Sequence, residues 1–250
     1  MNTKNEKEIM EQVRKNFDVI TNIGNNQDHL EKIIEKIDLK DNAICLDLGT
    51  GNGYIAFAIG EKFPNSNVVG IDIVENVINN NNKVVKDECR RNISFEIYNG
   101  IELPFQDNSI DYIITRFALH HFPRIEKTIS EFNRVLKDDG RVFIIDCVPN
   151  KEDGVDFIND WMKIIKDGHV RFYTEQEYID MFKKYGIIIE KSFYSEVICK
   201  RNKSKEYEEL IEQTNIKTVN SYLEKVTTEC ILLREKVWNV IWKKEDKNEK

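Results

Sequence analysis

The chain has 250 residues, 40% hydrophobic and 32% charged, enough for a large core and ordinary for a soluble globular protein. A net charge of −7 and a pI near 5.3, with Lys and Arg scattered, argue against broad binding to a nucleic-acid backbone. No apolar run reaches membrane-spanning length and the polar N-terminus carries no signal-peptide core, so a cytoplasmic protein without a membrane partner is expected.

Ile9, Val13, Phe17 and Ile20 recur at near-helical spacing and predict an amphipathic helix over 5–20. A loop from Asn22 to Asp28 leads to a second helix around 28–37. Residues 43–48 read as a first strand. It runs into Gly49-Thr50-Gly51-Asn52-Gly53 and then into an apolar helix ending near Lys62. Val68 to Asp72 is a second strand, followed by a helix to about Arg91 whose Asn79 to Asn82 run reads as a solvated face. Strands are expected over 92–97 and 110–115, with a helix over 122–137 closed by Asp138-Asp139-Gly140 as a C-cap. Residues 141–148 form a fifth strand, continuously apolar through Ile145 as burial on both faces requires.

Beyond Pro149 the rhythm changes. Helices are expected over 153–167, 174–185, 204–214 and 217–233, with strands beginning at Gly186 and spanning 237–242, before a charged tail. This alternation predicts an α/β, Rossmann-like, doubly wound sheet. It would hold seven mostly parallel strands, with helices on both faces and an antiparallel final strand. One domain over 1–250 is expected: a helical cap (1–40), a cofactor-binding core (41–149) and a substrate-side region (150–250). The five cysteines, Cys45, Cys89, Cys147, Cys199 and Cys230, are dispersed and odd in number, which favours free thiols over disulfides or a metal site.

The glycine turn carries the chemistry. A strand that breaks into glycines at a helix N-terminus offers backbone N–H groups to a ligand, and glycine lets it approach the main chain. The spacing Gly-x-Gly-x-Gly is neither the dinucleotide fingerprint nor a P-loop. Asp47, two residues before the first glycine, would repel a pyrophosphate and suits a ligand with a positive ammonium. Asp72, ending the next strand, can take both hydroxyls of a ribose. Either acid could instead cap backbone N–H groups.

Five segments in order then carry a family likeness: Leu46 to Gly53, Gly70-Ile71-Asp72, Leu103 to Asp111, Ala118 to Phe122, and Arg134 to Arg141. Together they resemble class I S-adenosylmethionine-dependent methyltransferases, in the branch of quinone-biosynthesis and other small-molecule enzymes. The resemblance implies S-adenosylmethionine as cofactor. Gly49, Thr50 and Gly51 would lie against its methionine part, Asp47 near its amino group, Asp72 on its ribose and Ile73 beside its adenine. Asn99, Gly100 and Ile101 stand where the family carries an Asp-Ala-Glu-like stretch, so Asn99 would contact the adenine amino group as a neutral acceptor. Arg116 would line the cofactor pocket.

Methyl transfer requires alignment and exclusion of water, and a base only where the nucleophile holds a proton. His120 and His121 follow the fourth strand, where parallel sheets bind ligands. Of the two, His121 is taken as the candidate base. His169 and Arg171 are placed on the substrate side, with Tyr173, Phe193 and Tyr194 as further cavity candidates. No metal is expected. The reading is a methyltransferase for a small-molecule acceptor with no nucleic-acid partner. The alternatives are a tRNA or protein methyltransferase, a non-catalytic S-adenosylmethionine-binding protein and, disfavoured by the glycine spacing, a nicotinamide oxidoreductase.

Overall fold

The computed structural model describes residues 3–20, 27–154 and 156–245. The expected loop at 22–28 and the tail beyond 245 lie largely outside them, as do the side chains of Phe17 and Ile20.

Two helices, α1 (Thr3–Ile20) and α2 (Gln27–Glu35), precede the sheet. Then come β1 (Ile44–Leu48), α3 (Tyr54–Lys62), β2 (Asn67–Asp72), α4 (Glu75–Asp87), β3 (Ile93–Ile97) and β4 (Ile110–Arg116). A single 3-10 turn over Leu119–His121 leads to α5 (Ile125–Val135) and β5 (Leu136–Cys147). The remainder is α6 (Phe157–Lys163), α7 (Glu175–Lys183), β6 (Ile187–Asn202), α8 (Lys205–Gln213), α9 (Ile216–Tyr222), β7 (Leu223–Val226) and β8 (Cys230–Lys244).

The strands form one sheet in the order β3-β2-β1-β4-β5-β8-β6, with β7 paired to β8 off that path. The first five are parallel, and β8 enters antiparallel between β5 and β6. Each face has its own core. Leu30 and Ile33 of α2, Ile55 and Ile59 of α3 and Trp161 of α6 pack on Cys45, Phe143 and Ile145. On the other face, Ile129 and Phe132 of α5 and Phe182 of α7 pack on Leu46, Ile113, Val142 and Trp242. Successive residues of β5 therefore feed opposite cores, which explains its unbroken apolar run.

Three expectations need correction. The sheet has eight strands rather than seven, because the expected helix over 217–233 stops at Tyr222. Residues 223–226 and 230–244 then form a β-hairpin in which inward positions Ile231, Leu233, Val237 and Ile241 recur every second residue. Asp138-Asp139-Gly140 is not a helix cap but part of β5, where the pairing with β4 shifts register between Ile110 and Tyr112. The asparagine run on α4 is not merely solvated: Asn81 is buried and donates to the Gly51 carbonyl at 2.8 Å, while Asn82 exchanges hydrogen bonds with Phe95 of β3. All five cysteines are free, and Cys89 alone of them is exposed.

Candidate functional site

Strand order reverses between β1 and β4, and a cleft opens there at the carboxyl ends of the strands, as open parallel sheets dictate. Gly49, Gly51 and Gly53 all hold positive φ (71°, 53° and 77°), so the turn folds back in a conformation that side chains resist. The N–H groups of Gly49 and Thr50 both donate to the Ile71 carbonyl of β2, at 2.9 and 3.0 Å. A Cβ at Gly49 would stand 2.5 Å from Cβ of Ala118. Gly49→Ala is therefore expected to cost about 2–4 kcal/mol, combining left-handed strain with overpacking. A lowered urea midpoint checks this; a midpoint equal to wild type would refute it.

Asp47 is buried, accepts from the Thr50 hydroxyl at 2.6 Å and also takes the Ala56 N–H. Burial outweighs these hydrogen bonds and raises its carboxyl to about 7. Asp72 accepts from Gly51 N–H at 3.0 Å on one oxygen and from Val74 N–H at 3.0 Å on the other. It thus fixes the glycine turn against β2. Each carboxylate oxygen can still accept a second donor. Burial raises its pKa too, against those backbone bonds. Beside it, the Tyr98 hydroxyl is buried, lines the cleft and has no hydrogen-bond partner among the described residues.

The structure brings Asp47, Gly49, Thr50, Gly51, Asp72 and Ile73 to one wall. Gly100, Arg116 and His121 line the same cleft. The Arg116 guanidinium lies 4.4 Å from the Phe117 ring centre and 5.4 Å from that of Tyr54; burial lowers it to about 10. Seven candidates fall elsewhere. Asn99 is exposed, and its side-chain oxygen caps its own loop by accepting from Ile101 and Glu102 N–H at 2.8 and 2.9 Å; neither Asn99 nor Ile101 is in the cleft wall. His169 is buried behind the wall, bonded to Asn159 at 2.9 Å. Arg171 pairs with Glu177 at 2.8 Å in a separate surface depression. Tyr173, Phe193 and Tyr194 do not reach the cleft; Tyr54, Phe117 and Phe172 do.

Of the two adjacent histidines, His120 carries the built arrangement. Its Nδ1 lies 2.7 Å from Oδ1 of Asp146, at the end of β5, and its ring lines the cleft. Burial opposes its protonation, but the Asp146 carboxylate prevails and the net pKa is raised. His121 has no such partner: burial and the neighbouring His120 push it well below the usual range. Asp146 could have been found in the sequence as the third acid, after Asp47 and Asp72, to end a strand of the parallel sheet. The segment after β5 and α1 cover the cleft through Met162, Asp167, Phe172, Met10 and Val13.

A glycine turn at a switch-point cleft, flanked by two acid-ended strands, defines a Rossmann-like nucleoside-binding protein. A family model described as "Methyltransferase domain" matches residues 39–245, and the chain belongs to that family. It is 30% identical over 138 residues to the "Uncharacterized methyltransferase YcgJ" of Bacillus subtilis, covering 55% of this chain and 54% of that protein. It is 29% identical over 142 residues to a demethylmenaquinone methyltransferase of Staphylococcus aureus, covering 55% and 58%. The chain thus spans about half the length of the curated relatives it matches. The crystal structure of YcgJ superposes with a TM-score of 0.76 at 20% identity, over 88% of this chain and all of that one. The [4+2]-cyclase SpnF has the same fold (TM-score 0.62, 16% identity, 88% and 81% coverage), so the fold alone does not fix the reaction.

The cofactor of this family is S-adenosylmethionine, and the residues present fit it. The cleft offers a carboxylate with free lone pairs at Asp72, an orphaned hydroxyl at Tyr98 and a buried acid at Asp47. A nucleoside bearing hydroxyls and an ammonium group complements that set.

Proposed function

We propose that this chain transfers the methyl group of S-adenosylmethionine to a small molecule whose nucleophilic atom carries a proton. The observation that carries this reading is the His120–Asp146 pair in the wall of the family's cofactor cleft. Asp72 and Tyr98 would hold the ribose side, Asp47 the amino group, and Ile73 and Gly100 the base. When bound, the cofactor supplies a methyl group already activated by its positive sulfur. Asp146 fixes the Nδ1–H of His120, which leaves Nε2 to take the acceptor's proton. Met10, Val13 and Phe172 exclude water from the path. The helical cover over the acceptor half favours a compact acceptor over a polynucleotide or folded protein.

Methyl-labelled S-adenosylmethionine, incubated with the protein and a cell extract, tests this. Label is expected in the fraction below about 1 kDa; label in tRNA or protein would overturn the small-molecule reading.

Asp47 gives a second check. Its carboxyl is raised to about 7, so it is partly protonated at pH 6.5 in the ligand-free protein. An ammonium beside it favours the carboxylate and lowers that pKa. Binding of S-adenosylhomocysteine at pH 6.5 should therefore release a substantial fraction of a proton, and less at pH 8. Calorimetry in buffers of different ionisation enthalpy reads the release directly. Asp47→Asn should abolish it, and a wild type that releases none would remove Asp47 from this role.

A further inference from the structure

The cleft continues past His120 onto the other half of the sheet, where the methyl-transfer reading assigns no polar residue. Its floor there is Glu235 of β8, with Cys147 of β5 and Val197 and Cys199 of β6 around it. Glu235 occupies an inward position of a strand whose neighbouring inward residues Ile231, Leu233 and Val237 are apolar core, while the further one, Asn239, is buried and hydrogen-bonded to His29 and Ser195. It is only 2% exposed. One carboxylate oxygen accepts from the Cys147 thiol at 3.3 Å, and the Cys199 thiol is a second hydrogen-bond partner of this side chain. The other oxygen, Oε1, is buried and has no N–H or O–H donor among the described residues.

A buried carboxylate oxygen without a donor costs about 1–3 kcal/mol or more, and thiols are weak donors. A strand with this alternation would be more stable with a hydrophobic residue at 235. Further acids stand near it. Asp167 lines the same end of the cleft and Asp146 lies beside it; the cations near them are His120, already matched by Asp146, Arg201, which acts on Asp167 and Cys199, and Arg116, which lines the cleft and acts on Cys147. The described residues hold no cluster of three or more His, Cys, Asp or Glu fit to bind a metal ion. The remaining wall is apolar or aromatic: Met162, Phe172 and Val197.

We infer that Glu235 is the recognition element for the acceptor, and that the acceptor is an amine with an apolar body whose ammonium group sits on Oε1. This rests on the methyltransferase reading only for the word acceptor; the ammonium site itself stands on Glu235. The topology separates the two ligands. Asp47 and Asp72 end β1 and β2, while Glu235 lies on β8 across β4 and β5. A carboxylate or phosphate ester placed on Oε1 would meet the Glu235 carboxylate with like charge and is disfavoured at that position.

The test uses the intact chain, with and without S-adenosylhomocysteine, and three probes of one shape: 2-phenylethylamine, 2-phenylethanol and 3-phenylpropanoate. Calorimetric titration of the wild type should show the amine binding at least tenfold more tightly than either of the others. Glu235→Gln should remove that preference, with the amine weakened at least tenfold. Equal binding of the three probes, no binding of the amine, or an amine preference that survives in Glu235→Gln overturns the inference. Should Glu235→Gln fail to fold, the wild-type series decides alone. An amine preference in a protein that does not bind S-adenosylhomocysteine would instead sink the methyl-transfer reading and leave the ammonium site standing.

Discussion

Asp72→Ala is expected to weaken S-adenosylhomocysteine binding by about 100-fold, the largest single loss among the cofactor-side residues. The carboxylate stands at the end of β2 with Gly51 N–H on one oxygen, Val74 N–H on the other and a further backbone bond from Ile73, and its oxygens keep lone-pair capacity for hydroxyl donors. Two hydroxyl hydrogen bonds to a charged acceptor are together worth about 3 kcal/mol, which is about two decades in affinity. Part of the loss is indirect. Without the carboxylate, Gly51 N–H loses its anchor to β2, and the turn is left to the Ile71 carbonyl, Asn81, the Thr50–Asp47 bond and its own Gly53–Thr50 bond. Asp72→Asn separates the two contributions, since its amide oxygen can replace one acceptor but not both. Isothermal titration measures all three proteins. An Asp72→Ala affinity within threefold of wild type would show that the ribose is held elsewhere.

His120→Ala is expected to lower kcat by about 100- to 1000-fold, the usual range for a positioned general base. Asp146→Asn should act through the same ring. With the carboxylate replaced by an amide, burial dominates and the pKa of His120 falls from its raised value. The base must be neutral to accept a proton, so wild-type activity should rise with pH through the raised His120 pKa. In Asp146→Asn that limb should move to lower pH while the plateau falls. A merely structural Asp146 would lower the plateau without moving the limb. His121→Ala should cost less than His120→Ala, because His121 has no orienting carboxylate and is held neutral by burial. A pH profile identical in wild type and Asp146→Asn would remove the pair from the chemistry.

The cofactor half was readable because its signals are local. Gly49 to Gly53 must turn with positive φ, and the acids at 47 and 72 end strands that apolar runs announce on their own. The acceptor half was not, because its residues meet only through the β-hairpin that closes the sheet. Glu235 is an inward residue only once 230–244 is a strand, and residues 223–233 read equally well as a continuation of the helix that in fact stops at Tyr222. His121 was favoured over His120 because adjacent rings cannot be ranked without the strand that brings Asp146 to one of them. Asn99 shows the limit of motif transfer: its position matches, but its oxygen is spent on its own loop. His169 and Arg171 lie near the right helices, and their partners Asn159 and Glu177 draw them away from the cleft.

Helix α1 touches both ends of the cleft. Arg14 donates to the Ile73 carbonyl at 3.3 Å and Met10 lies against Gly100 on the cofactor side. Asn16 donates to the Lys166 carbonyl at 2.8 Å and Val13 lies against Gly168 on the other side, while nearer the start of the helix Glu6 clasps Arg124 at 2.6 Å. A single latch thus spans two doorways. On the proposed reading spent cofactor and methylated product would both leave past this helix, so weakening the Glu6–Arg124 clasp should hasten the departure of both by one common factor.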